Sequence, residues 1–249
     1  QALMILAVLQ EFYTEPEEED LKKLQKDAEY LIRYHTEQAK SSVSGSDVDM
    51  AGVRAEYSYA AAMAQCYHVL KNEAGAAVYL KQAQTAYQTA VRSRSRTDMA
   101  VSPEQYMAAT ALFNVTGSYS YHQVIKQYEA AEDTAEGFWG DLLYLTSLQR
   151  VDTKLCEQQM NRLLKECGEL SDNVFSQHAI ESRADSLTAM LKLAVADNTL
   201  VSLEYRNACK ILLHACYSNM EEMDCVQRSA LLFIEGELAK MGKESEDKE

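Results

Sequence analysis

The sequence predicts an all-α fold of antiparallel helical hairpins, curved into an open solenoid or an α/α toroid. Three observations lead there. Apolar residues recur at three-to-four spacing almost end to end. Two prolines and nine glycines in 249 residues are too few for an all-β sandwich, which needs turn signals every 8–12 residues or so. The apolar segments also pair, and the pairs recur about every 40 residues, a spacing that suits stacked hairpins.

Residues 2–13 are an apolar segment that Pro16 separates from the next. Glu17 to Asp20 load a helix start with negative charge, which the positive end of the helix dipole favours. From there Leu24, Ala28, Leu31 and Ile32 keep the spacing of one buried face. Ser41 to Asp47 (SSVSGSD) form the first loop, and Asp47 or Asp49 is placed to cap a long helix carrying Val53, Tyr57, Ala60, Ala61, Ala64 and Val69. Further helices are expected over 74–94, 103–115, 119–131, 138–149, 153–168, 178–197, 202–217 and 222–242, about eleven in all. Ser102-Pro103-Glu104-Gln105 has the order of a helix start: Ser caps and Pro takes the first turn. Gly117, after Asn114-Val115-Thr116, suits the left-handed residue that ends a helix. Residues 1–241 are read as one helical domain, and Gly242 to Glu249 (GKESEDKE) as an acidic, solvated tail.

Charge narrows the partners. Twenty-four basic against thirty-eight acidic residues give a net charge of −14. A field of that sign repels nucleic acid and anionic bilayers and favours a neutral or cationic ligand. The one basic cluster, Arg92, Arg94 and Arg96, stands at an expected helix end, where arginines meet orphan carbonyls. The apolar run Ala2 to Leu9 is too short to span a bilayer, and no basic residue precedes it as a signal peptide would require. The Gln1 start points to a processed or trimmed chain. Six cysteines form no CxxC pair and read as buried thiols, with a Cys216–Cys225 disulfide as the alternative.

Catalytic signatures are sparse. There is no GxSxG elbow, no phosphate-binding glycine loop and no HExxH. The five histidines are scattered, so no metal site and no cofactor is expected. The segment that stands out is Gly137-Phe138-Trp139-Gly140-Asp141, which holds the single tryptophan and reads as a glycine-flanked turn at a helix mouth. An exposed indole beside an acid can stack a sugar ring and bond its hydroxyls, which makes Trp139 and Asp141 candidate substrate-binding residues. A tryptophan packed against the following leucines is the plainer reading of the same residue.

The order of segments resembles the helical catalytic domain of family 9 glycoside hydrolases, the endoglucanase-type six-hairpin toroids. Leu21 to Gln38 (LKKLQKDAEYLIRYHTEQ) is similar to that family's DELKWGADYLLKMH helix. Ser44 to Ala51 (SGSDVDMA), followed by an alanine-rich helix, resembles PGSDVAGETAAALAAAS. Tyr79 to Val91, Gln105 to Tyr121 and Gly137 to Leu148 follow in the family's order, as do Asp172 to Ala194 and Tyr205 to Tyr217. The family's DAGD motif, its histidine-arginine region and its C-terminal acid glutamate segment have no counterpart, so no catalytic residue is carried over. The resemblance implies a carbohydrate-processing domain for β-glucan or a related oligosaccharide, with little hydrolysis by this chain alone. A noncatalytic helical scaffold that holds a protein or peptide on its concave face is the alternative. Free thiols suit the cytoplasm, whereas the resemblance suits secretion.

Overall fold

A computed structural model describes residues 18–41, 50–93, 100–129, 134–145 and 147–172. Seven helices and no strand are found among them: α1 (Glu18–Ser41), α2 (Met50–Leu70), α3 (Ala77–Ser93), α4 (Pro103–Thr116), α5 (Tyr119–Gln127), α6 (Ala135–Leu145) and α7 (Thr153–Asp172). The all-α hairpin reading therefore holds. The chain divides into two compact units, Gln1–Cys156 and Glu157–Glu249. Helices α1 to α6 belong to the first; what is described of the second is the continuation of α7. The segments expected at 2–13, 178–197, 202–217 and 222–242, and the tail at 242–249, lie outside the described residues, as does Cys216–Cys225.

Two kinds of helix alternate in the first unit, and composition explains both. Tyr59 to Cys66 of α2 are all buried, as are Gln105 to Phe113 of α4 and residues 137–144 of α6. A helix apolar on every side has neighbours on every side. The alanines at Ala60, Ala61, Ala62 and Ala64, and at Ala108, Ala109 and Ala111, leave room for that approach. By contrast α3 buries one stripe, Tyr79, Ala83, Ala86, Tyr87 and Ala90, and α5 buries only Ile125. On α1 the buried positions are Leu24 and Ala28. The packing follows: α2 lies against α3 and α4, and α4 against α5 and α6. The row α2–α4–α6 is the core, and α1, α3 and α5 cover it.

Helix ends are set by local chemistry. The Ser102 hydroxyl accepts from the Gln105 N–H at 3.2 Å and Pro103 opens α4. Gly117 ends α4 at φ 64°, donating its N–H to the Phe113 carbonyl at 2.7 Å. One expectation is corrected. The segment Gly137–Asp141 is not a turn before a helix; it lies inside α6, which begins at Ala135 and ends at Leu145 rather than running over 138–149. Gly140 has no left-handed backbone angle. Its role is close approach: a methyl there would collide with the Cδ1–Cε1 edge of the Tyr106 ring. The cost of glycine in a helix, about 1 kcal/mol, is offset by the fit of α6 against α4.

Candidate functional site

The end of the core where α2 and α4 begin collects charge. Glu104, in the first turn of α4, meets Arg54 of α2, with Arg54 Nε 3.8 Å from Glu104 Oε1. Two residues along α2, Glu56 Oε1 is 2.9 Å from His35 Nε2 of α1. The His35 ring lies flat on Tyr59, centroids 3.9 Å apart and planes 2° apart. Burial, with Glu56 close by, pushes the Tyr59 phenol above its usual range, so it stays protonated and donates to Gln82 at 3.4 Å. The second oxygens of Glu56 and Glu104 are both buried and have no hydrogen-bond partner. Buried carboxylate oxygens are seldom left bare.

Both candidate substrate-binding residues lie on α6. Trp139 is 4% exposed and packs beside Phe138, ring centroids 5.3 Å apart. Asp141 is 6% exposed, and its Oδ1 accepts a 2.6 Å hydrogen bond from the Tyr106 hydroxyl. The Tyr106 ring is stacked in turn on Tyr128 at 4.0 Å. A single arrangement therefore ties Asp141, Gly140, Tyr106 and Tyr128 together across α4, α6 and the end of α5. Tyr106 escaped the sequence reading because it is 35 residues from Asp141 and nothing local marks the pair.

The opposite end, where α4 and α6 finish, is closed by side chains. Asn114 donates to the Leu143 carbonyl at 2.7 Å and Gln149 donates to the Asn114 carbonyl at 2.9 Å, so each helix's orphan carbonyls are met from outside. The Tyr144 hydroxyl accepts from the Asp152 N–H at 2.8 Å and lies 2.8 Å from His122 Nε2. Burial, aided by Lys126, lowers the His122 pKa while Asp152 opposes the shift; burial raises that of Tyr144. Tyr144 and His122 therefore share a hydrogen bond between two neutral groups, whose donor is set by the imidazole tautomer. Asp152 takes Lys126 Nζ at 2.6 Å on one oxygen, and on the other the N–H groups of Lys154 and Leu155 at 3.1 and 3.4 Å. The ion pair with Lys126 is the main cause of its low pKa.

Of the other sequence-marked groups, Cys66 is a buried thiol pushed up to about 12 by burial, with Asp27 adding to the shift. A thiol so protonated is a packing group. Arg92 lies in the last turn of α3, whereas Arg94 and Arg96 lie outside the described residues. Among the described residues no three His, Cys, Asp or Glu side chains are grouped to hold a metal. Among them, too, no helix is long and apolar enough to cross a membrane.

An all-helical core of alternating inner and outer helices is the architecture of the α/α glycoside hydrolases. The glycosyl hydrolase family 9 model matches residues 10–237, and the chain belongs to that family. No curated protein matches it. Among solved structures the fold is similar to that of a metagenome-derived glycoside hydrolase family 9 endoglucanase, with 18% sequence identity and a TM-score of 0.55 over 64% of this chain. The likeness takes in 35% of the endoglucanase, so this chain spans about a third of its length.

Proposed function

We propose that the chain is a carbohydrate-binding helical domain of its family, directed at a β-glucan or related oligosaccharide, with little hydrolytic activity alone. The observation that supports it is the pairing of family membership with an end of the α2–α4 core whose polar groups are left partly unsatisfied. Trp139 and Asp141 are its proposed binding-site residues. Enclosed as they are, they serve by holding α6 and, through Tyr106, α4 beneath the ligand. Glycoside hydrolysis needs two placed carboxylates of separated pKa, and the family segments that supply them have no counterpart here.

Trp139 is the single tryptophan, so its emission reports on this region alone. Titration with cellotetraose is expected to shift it, and Trp139→Phe, which loosens the packing that holds α6 beneath the ligand, to weaken binding about threefold. Reducing ends should not accumulate in the same mixture. Unchanged emission with cellotetraose, xylotetraose and a mixed-linkage tetraose would remove the carbohydrate reading. A protein-binding scaffold is the second reading, favoured by Tyr30 and Tyr34, two exposed aromatic residues one turn apart on α1.

A further inference from the structure

Helix α1 buries Leu24 and Ala28, and its opposite face combines exposed rings with exposed cations. Tyr30 is 63% exposed and Tyr34 49% exposed, so two aromatic rings one turn apart stand in water. Helical spacing puts Lys23, Lys26 and Arg33 on the same side, all three exposed. Among the described residues these three form no ion pair, whereas Lys22 is held by Glu18 at 2.6 Å. Between residues 22 and 34 the exposed charges are four basic, Lys22, Lys23, Lys26 and Arg33, against one acidic, Glu29. In a chain of net charge −14 that stretch is a local reversal of sign.

We propose that this face of α1 binds an anionic oligosaccharide, one that carries a carboxylate on successive sugar rings. Tyr30 and Tyr34 stack on the apolar C–H faces of the rings, and Lys23, Lys26 and Arg33 pair with the carboxylates. Length argues for a ligand of repeating charge: Lys23 to Arg33 covers about 15 Å along the helix, more than one carboxylate can reach. Size argues against a protein. A stable interface needs about 20–30 residues a side, and this stripe offers five side chains on the convex surface of one helix. The overall negative charge does not forbid an anion here, because at physiological salt fields fade over about 8 Å. The stripe sets the sign at its own surface. An exposed helix face is also explained by solvation alone, and the test separates the two.

None of the residues of α6 takes part, so the proposal stands or falls apart from the cellotetraose result at Trp139. Calorimetric titration of the full chain with tetragalacturonate tests it. Binding is expected, weakening about fivefold as salt rises from about 50 to about 300 mM, and excess cellotetraose should not displace the ligand. Tyr30→Ala and Arg33→Gln should each weaken binding about fivefold. Their melting temperatures should match the wild type, because both side chains are exposed. Arg150→Gln makes the same change of charge at an exposed site outside α1 and should bind as the wild type does. No binding by the wild-type chain, displacement by cellotetraose, or an equal loss in Arg150→Gln and Arg33→Gln would overturn the proposal. Equal affinity for hexaglutamate would make this face a docking surface for acidic protein segments and overturn the sugar assignment.

Discussion

The two ends of the α2–α4–α6 row are both lined by polar side chains and are finished differently. Where α4 and α6 end, Asn114, Gln149, His122, Tyr144, Lys126 and Asp152 meet the helix termini and one another within 2.6–2.9 Å. Where α2 and α4 begin, Arg54 stands 3.8 Å from Glu104 and two glutamates each keep a buried oxygen without a partner, while at the other end the Asn114 Oδ1 is buried and bare as well. Each bare oxygen costs about 1–3 kcal/mol, so the two ends differ in how many side chains are paired rather than in whether any is left bare.

The contrast can be broken or sharpened by substitution. The largest effect is expected at the packing both ends share. Gly140→Ala drives a methyl into the Tyr106 ring, and should cost about 2–3 kcal/mol in urea denaturation, loosening the Tyr106–Asp141 pair with it. A loss under about 0.5 kcal/mol would show that α6 moves easily against α4.

A smaller effect is expected at the closed end. Tyr144→Phe removes the hydrogen-bond partner of His122 and leaves the Asp152 N–H without its acceptor. The cost should be about 1–2 kcal/mol, read as a lower urea midpoint. If Tyr144→Phe costs nothing, the two hydrogen bonds of that hydroxyl add nothing net to the fold.

The smallest effect is the pH response, and its sign follows from His122 and Asp152. The folded His122 pKa lies below 6.5, so its contribution is complete above that value and is lost as pH falls through 6.5 toward and past the folded value. Asp152 is held below 3.8, and its contribution disappears at still lower pH. Lys126 is raised above 10.5, so its share is intact throughout this range. The urea midpoint should fall between about pH 8 and about pH 5, and His122→Gln should flatten that decline. An identical slope in the variant would place the acid sensitivity elsewhere.

The composition and periodicity were sufficient to give the helical class, the start of α4 at Ser102–Pro103 and its stop at Gly117, because these depend on spacing within a few residues and on the conformational limits of proline and glycine. The ordered family phrases were legible for the same reason: they lie along the chain. Gly140 misled, since a glycine that makes a turn and a glycine that admits a neighbour's ring look alike in one dimension. Only tertiary structure decided that Trp139 and Asp141 are buried, that Asp141 belongs to Tyr106, and that Asp152 is well paired while Glu104 is not. Those outcomes depend on which helices lie side by side, and a carboxylate's partner 35 or 50 residues away leaves no trace in local spacing.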